Sequence, residues 1–158
     1  MNTAELLAIA PITTLTLLSI IILVVEALVQ KSEKISFWVS VIGLTICMIL
    51  SLATLDLTGT VFNKMLTVGG LGNLFGALFC IAALLTIILS RDYLQKEHVN
   101  FGEFYLLILF STIGMMLMAS AADLIIIFLG LELMSICLYV LAGFMRTRMV
   151  SNESSLKY

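Results

Sequence analysis

The chain has 158 residues, 61% of them apolar and 11% charged, with a net charge of −2 and a mean hydropathy of +1.18. A water-soluble domain holds about 45–50% apolar and 25% charged residues, so this composition excludes a soluble enzyme or binding module. Its eight Lys and Arg are scattered over several loops and form no basic stripe, so a nucleic-acid partner is excluded too.

Five apolar runs follow one another: Ile9 to Val29, Ile35 to Leu55, Leu71 to Ser90, Phe104 to Ala122 and Leu124 to Met145. Each matches the ~20 residues that a helix rising ~1.5 Å per residue needs to cross a hydrocarbon layer about 30 Å thick. They lack the ~10-residue alternation of barrel strands and predict helices that close their own backbone hydrogen bonds in lipid. The expected fold class is an all-α membrane protein: five transmembrane helices plus the start of a sixth, in one transmembrane region over 1–158.

The first span is preceded by Met1 to Glu5 with no Lys or Arg, which does not suit a cleavable signal, so this helix is expected to stay. Pro11 is the sole proline and is expected at the start of the span, where its missing N–H costs little. Glu26 falls within about a turn of the other end, where snorkelling or a pair with Lys31 accounts for it. Lys31 and Lys34 follow span one, Arg91 and Lys96 follow span three, and Arg146, Arg148 and Lys157 follow span five, leaving Lys64 alone on the other side. This bias predicts an outside N-terminus, an outside Asp56 to Gly70 loop and a cytoplasmic C-terminus.

On span three, Gly72 and Gly76, continued by Cys80, form a small-xxx-small step that lets a neighbouring helix approach. The Gly69, Gly70, Gly72 cluster has no following lysine and hydroxyl pair, so it is not a phosphate loop. Cys47, Cys80 and Cys137 read as small hydrophobes within apolar spans, and neither a disulfide nor a metal site is expected. His98 shares a charged loop with Asp92, Lys96 and Glu97 and reads as a solvated surface residue. Met115, Met116 and Met118 suit irregular gaps between helices.

The chemistry concentrates on span five. Asp123 stands where an N-cap accepts orphan N–H groups. Glu132 comes nine residues later, about 13 Å along the axis and near mid-membrane. Ser135 at i+3 and Tyr139 at i+7 share its side, so a polar stripe runs along an apolar helix and is expected to face protein or water. A carboxylate at that depth costs at least ~2.5 to 3.5 kcal/mol and usually persists because it handles protons or ions. The plainer alternative is an interhelical hydrogen bond with no transport role. Beyond Arg148, Ser151 to Tyr158 reads as a capped helix start, with Ser151 or Asn152 as cap and Glu153 four residues before Lys157. A helix opening with none behind it suggests a fragment or the first piece of a split protein.

The runs Gly102-Glu103-Phe104-Tyr105 and Phe110 to Ala121, and above all Asp123 to Phe144 followed by Ser151 to Tyr158, closely resemble the N-type antiporter-like membrane subunit of respiratory complex I, the proton-translocating NADH:quinone oxidoreductase. The core string is Gly130-Leu131-Glu132-Leu133-Met134-Ser135-Ile136-Cys137-Leu138-Tyr139-Val140-Leu141-Ala142-Gly143-Phe144. The resemblance covers essentially the whole chain as an N-terminal portion, most sharply from Arg91 onward.

It implies a bundle with two inverted repeats in the membrane arm, passing protons across the cell's inner (plasma) membrane beside other membrane-arm subunits. Those other subunits would carry the flavin, iron–sulfur clusters and quinone chemistry, this chain binding no cofactor. By the motif match, Glu132 corresponds to a fifth-helix glutamate that tunes a channel lysine, and Lys157 to the lysine opening the sixth helix. Two departures stand out. The family usually carries an aspartate near Gly69, and the chain stops before the broken helices with the central channel lysines, so alone it is expected to hold no complete proton path. Lys157 keeps two readings, a helix-end charge paired with Glu153 or a relay partner of Glu132.

Alternatives to a proton-translocating subunit are a related subunit of a cation/proton antiporter or membrane hydrogenase, and a structural membrane fragment. The antiporter relatives often place tryptophan before the glutamate, where this chain has Leu131.

Overall fold

A computed structural model describes residues 3–28, 33–96 and 102–144, together with 151, 153, 156 and 157. The elements in order are α1 (Thr3–Leu28), α2 (Glu33–Ala53), β1 (Gly59–Val61), β2 (Leu66–Val68), α3 (Gly70–Lys96), α4 (Glu103–Ser120) and α5 (Leu124–Ala142). All five predicted spans are helices long and apolar enough to cross a membrane, which makes this a multi-pass membrane protein.

Successive helices pack against one another, and α4 additionally contacts α1 and α2. The core between them is Leu15, Ile22, Leu44, Ile87 and Leu109. Ile20, Ile42, Leu78 and Leu85 point outward, as side chains facing hydrocarbon do, because lipid imposes no penalty on apolar exposure. Gly76 lets α3 close on its neighbours: a Cβ there would stand 2.9 Å from Ser51 Oγ on α2 and 3.2 Å from Met116 Cε on α4. The small-residue step on α3 thus works inside the bundle, with Met116 filling the gap as its flexible side chain allows.

The loop after α2 holds an antiparallel hairpin, with Gly59 opposite Val68 and Val61 opposite Leu66. Its buried Val61, Leu66 and Val68 cluster with Ile9 of α1. A second tie runs to the α4–α5 turn, where the Ala122 N–H donates to the Met65 carbonyl at 2.8 Å and Thr67 Oγ1 to the Ser120 carbonyl at 3.0 Å. Gly69 has φ +78°, and a Cβ there would overlap the Leu57 carbonyl oxygen. No side chain fits at that position, whatever the family carries nearby.

Two expectations need correction. Pro11 lies inside α1, eight residues after its first residue Thr3, because the helix extends past the apolar run that defined the span. Its ring is buried, and its carbonyl accepts from Cys47 Sγ at 3.2 Å. Glu26 does not snorkel: it turns inward, accepts from Ser36 Oγ of α2 and lies against the backbone of Gly102, where a Cβ would collide with Glu26 Oε1. Lys31, its expected partner, is outside the described residues. Of the two expected caps of the next helix, Ser151 donates through Oγ to the Ala142 carbonyl at 2.9 Å, and Asn152 is outside the described residues.

Candidate functional site on the fifth helix

Asp123 starts α5 as expected: with extended backbone, φ −123° and ψ 142°, it accepts from the Ile125 N–H at 2.8 Å. The helix then packs extensively against α4, and the seam is made by two glycines. A Cβ on Gly114 would stand 2.6 Å from the Gly130 carbonyl oxygen, and one on Gly130 would stand 2.8 Å from that of Gly114. Here the two backbones touch, which only residues without a side chain permit.

That seam decides where Glu132 points. Two residues past Gly130 is roughly 200° around a helix turning ~100° per residue, so Glu132 faces away from α4. Glu132 and Tyr139 are exposed on the bundle surface, and Ser135 is half-buried. Within α5 the buried residues are Gly130 and Cys137, both on the seam side. Glu132 stands about 12 Å from the first residue of α5, near the middle of a 19-residue helix. Apolar neighbours Leu131 and Ile136 are exposed around it. The chemistry available is that of one carboxylate at mid-depth, on a face that α1 to α4 leave uncovered.

Lys157 is placed elsewhere. Its Nζ lies 2.5 Å from Glu153 Oε1 in an exposed pair at i, i+4, and the structure does not bring it to Glu132. Cys47, Cys80 and Cys137 are buried free thiols. Among the described residues no three His, Cys, Asp or Glu side chains gather as metal ligands, and His98 lies outside those residues.

Sequence reasoning passed over Gly114 and Gly130, although both stand in the strings that carry the resemblance. Each is isolated on its own helix, so no i, i+4 glycine pair signals them. It also passed over the buried hydrogen bonds between α2 and α3, where Ser51 Oγ donates to the Asn73 carbonyl at 2.7 Å and Asn73 Nδ2 to Thr54 Oγ1 at 2.7 Å.

Residues 121–158 match the family described as "NADH:quinone oxidoreductase/Mrp antiporter, TM". The chain is 41% identical over 158 residues to NADH-quinone oxidoreductase subunit N of Trichlorobacter lovleyi, covering 99% of this chain and 32% of that protein. It is 37% identical over 154 residues to subunit N 1 of Chloroherpeton thalassium, covering 98% of this chain and 32% of that one. Among solved structures, a chain of respiratory complex I from Thermus thermophilus with bound aureothin superposes with a TM-score of 0.79 at 26% identity, over 94% of this chain and 32% of that chain. Over nearly its whole length the chain is thus similar to the antiporter-like N subunit of NADH-quinone oxidoreductase, and it spans about a third of the length of the relatives it matches.

Proposed function

We propose that this chain takes part in proton translocation as a membrane-arm subunit of an NADH:quinone oxidoreductase, with Glu132 as a group that gains and loses a proton. The carrying observation is the position of Glu132: mid-depth on α5, turned away from the Gly114–Gly130 seam. A carboxylate at that depth is costly to keep and usually persists because it handles protons or ions. The surface α5 presents is the one on which a partner cation would approach.

The chain contributes no redox chemistry in this proposal. Flavin, iron–sulfur clusters and quinone belong to other subunits, and its partners are the neighbouring membrane-arm subunits and the bilayer of the cell's inner membrane. Lys157 enters second, as a relay partner of Glu132, although its pairing with Glu153 supports the helix-end reading. The N-terminus and hairpin face outside, by the bias of basic residues. Thiol labelling of Lys64→Cys and Lys96→Cys checks this: the first is expected to react from outside and the second from the cytoplasm, and the reverse pattern inverts the orientation.

The deciding experiment is Glu132→Gln in the assembled complex. An amide of equal size cannot exchange the proton, so pumping is expected to fall at least roughly tenfold while assembly persists, and Glu132→Asp is expected to retain more. Undiminished pumping by an assembled Gln variant leaves Glu132 only a hydrogen-bonding role.

A further inference from the structure

We propose that a single ordered water molecule is bound between Asn73 of α3 and Ser120 of α4, beneath the hairpin. The orientation of the Asn73 carboxamide is set by its neighbour. Thr54 Oγ1 donates to the Leu50 carbonyl at 2.7 Å, so toward Asn73 it accepts, and the Thr54 carbonyl accepts as well, at 3.3 Å. Nδ2 must face both, which turns Oδ1 the other way.

Asn73 is 7% exposed and Ser120 5%. Neither Asn73 Oδ1 nor the Ser120 hydroxyl has a partner among the described residues. Both residues line one cavity of about 10 Å³, together with Pro11, Val61, Leu66 and Met116. Gly72 keeps it open, since a Cβ there would stand 3.2 Å from Ser120 Oγ. Two unsatisfied buried polar groups facing a space of one water probe are the conditions under which a buried water is held. The water donates to Asn73 Oδ1 and accepts from the Ser120 hydroxyl. Its second hydrogen has Thr67 Oγ1, which lines the same cavity and keeps a free lone pair while donating to the Ser120 carbonyl. Through this water α3, α4 and the hairpin share one polar joint.

Hydroxyl-radical footprinting of the membrane assembly containing this chain tests the site, because irradiation converts bound water to radicals in place. Met116 is 3% exposed and lines the cavity, yet it is expected to oxidise within roughly threefold of the rate of exposed Met65. Gly72→Ala, which fills the cavity wall, is expected to slow Met116 oxidation at least about fivefold with Met65 unchanged. A high-resolution density map of the unaltered assembly supplies the second readout, a peak within hydrogen-bond distance of Asn73 Oδ1 and Ser120 Oγ. A protected Met116, an unchanged rate in Gly72→Ala, or an empty cavity in the map overturns the proposal.

Discussion

The four-helix interior and the fifth helix are both apolar enough to cross a membrane and are used in different ways. Half of the α4 span is buried, against 11% of the α5 span. In the α1 to α4 region, hydroxyls mostly turn back onto their own helices, as Ser19 does onto the Leu15 carbonyl and Thr112 onto the Ile108 carbonyl. Where polar groups do cross between helices there, they meet partners, as at Ser51 and Asn73. On α5 the charged group points outward, and the helix is held by the glycine seam with Ile126, Leu133 and Leu141 packed on the bundle. Polarity inside the bundle serves cohesion, whereas the Glu132 carboxylate on α5 turns away from the α4 seam.

The sharpest way to break this contrast is to open the seam. Gly130→Leu places a side chain against the Gly114 backbone, where no rotamer change gives room, and is expected to cost roughly 3 kcal/mol. Thermal unfolding in detergent checks it, and loss of the variant from the membrane assembly is the expected companion. A variant with unchanged melting shows that α5 is held by something other than this contact.

Glu132→Gln sharpens the contrast from the other side. Because its carboxylate makes no bond within the described bundle, stability is expected to stay within about 0.5 kcal/mol, as for surface substitutions generally. Beside the tenfold loss of pumping proposed above, that would separate function from cohesion at one residue. A large drop in melting temperature would instead assign Glu132 to packing.

The smallest effect concerns Lys157. An exposed i, i+4 pair is worth about 0.3–0.5 kcal/mol, so Lys157→Met is expected to be nearly silent in stability. Its proton-pumping assay then divides the two readings: a fall marks a relay partner, and an unchanged rate leaves a helix-end ion pair with Glu153.

Much of this architecture was legible in the chain because lipid imposes a simple length rule. Five runs of about twenty apolar residues became five helices, and Asp123 before Leu124 became a cap because a carboxylate at that place accepts orphan N–H groups. The hairpin was not legible: Gly59 to Val68 is short, and its register depends on packing against Ile9 and the α4–α5 turn. Pro11 misled because the helix starts well before the apolar run. The inward turn of Glu26 is not legible in the sequence, because Ser36 and Gly102 come beside it only when the helices pack.

Sequence by itself determined the solvent, the number of crossings, the cap of α5 and the depth of Glu132, since each follows from spacing along one helix. Which way that carboxylate faces was decided by tertiary structure. Gly114 and Gly130 stand 16 residues apart on different helices, and their backbone contact helps to set the rotation of α5. The partnering of Asn73 likewise depends on where Thr54 and Ser120 come to rest. Rotation and partnership are relations between helices, and no periodicity within one helix encodes them.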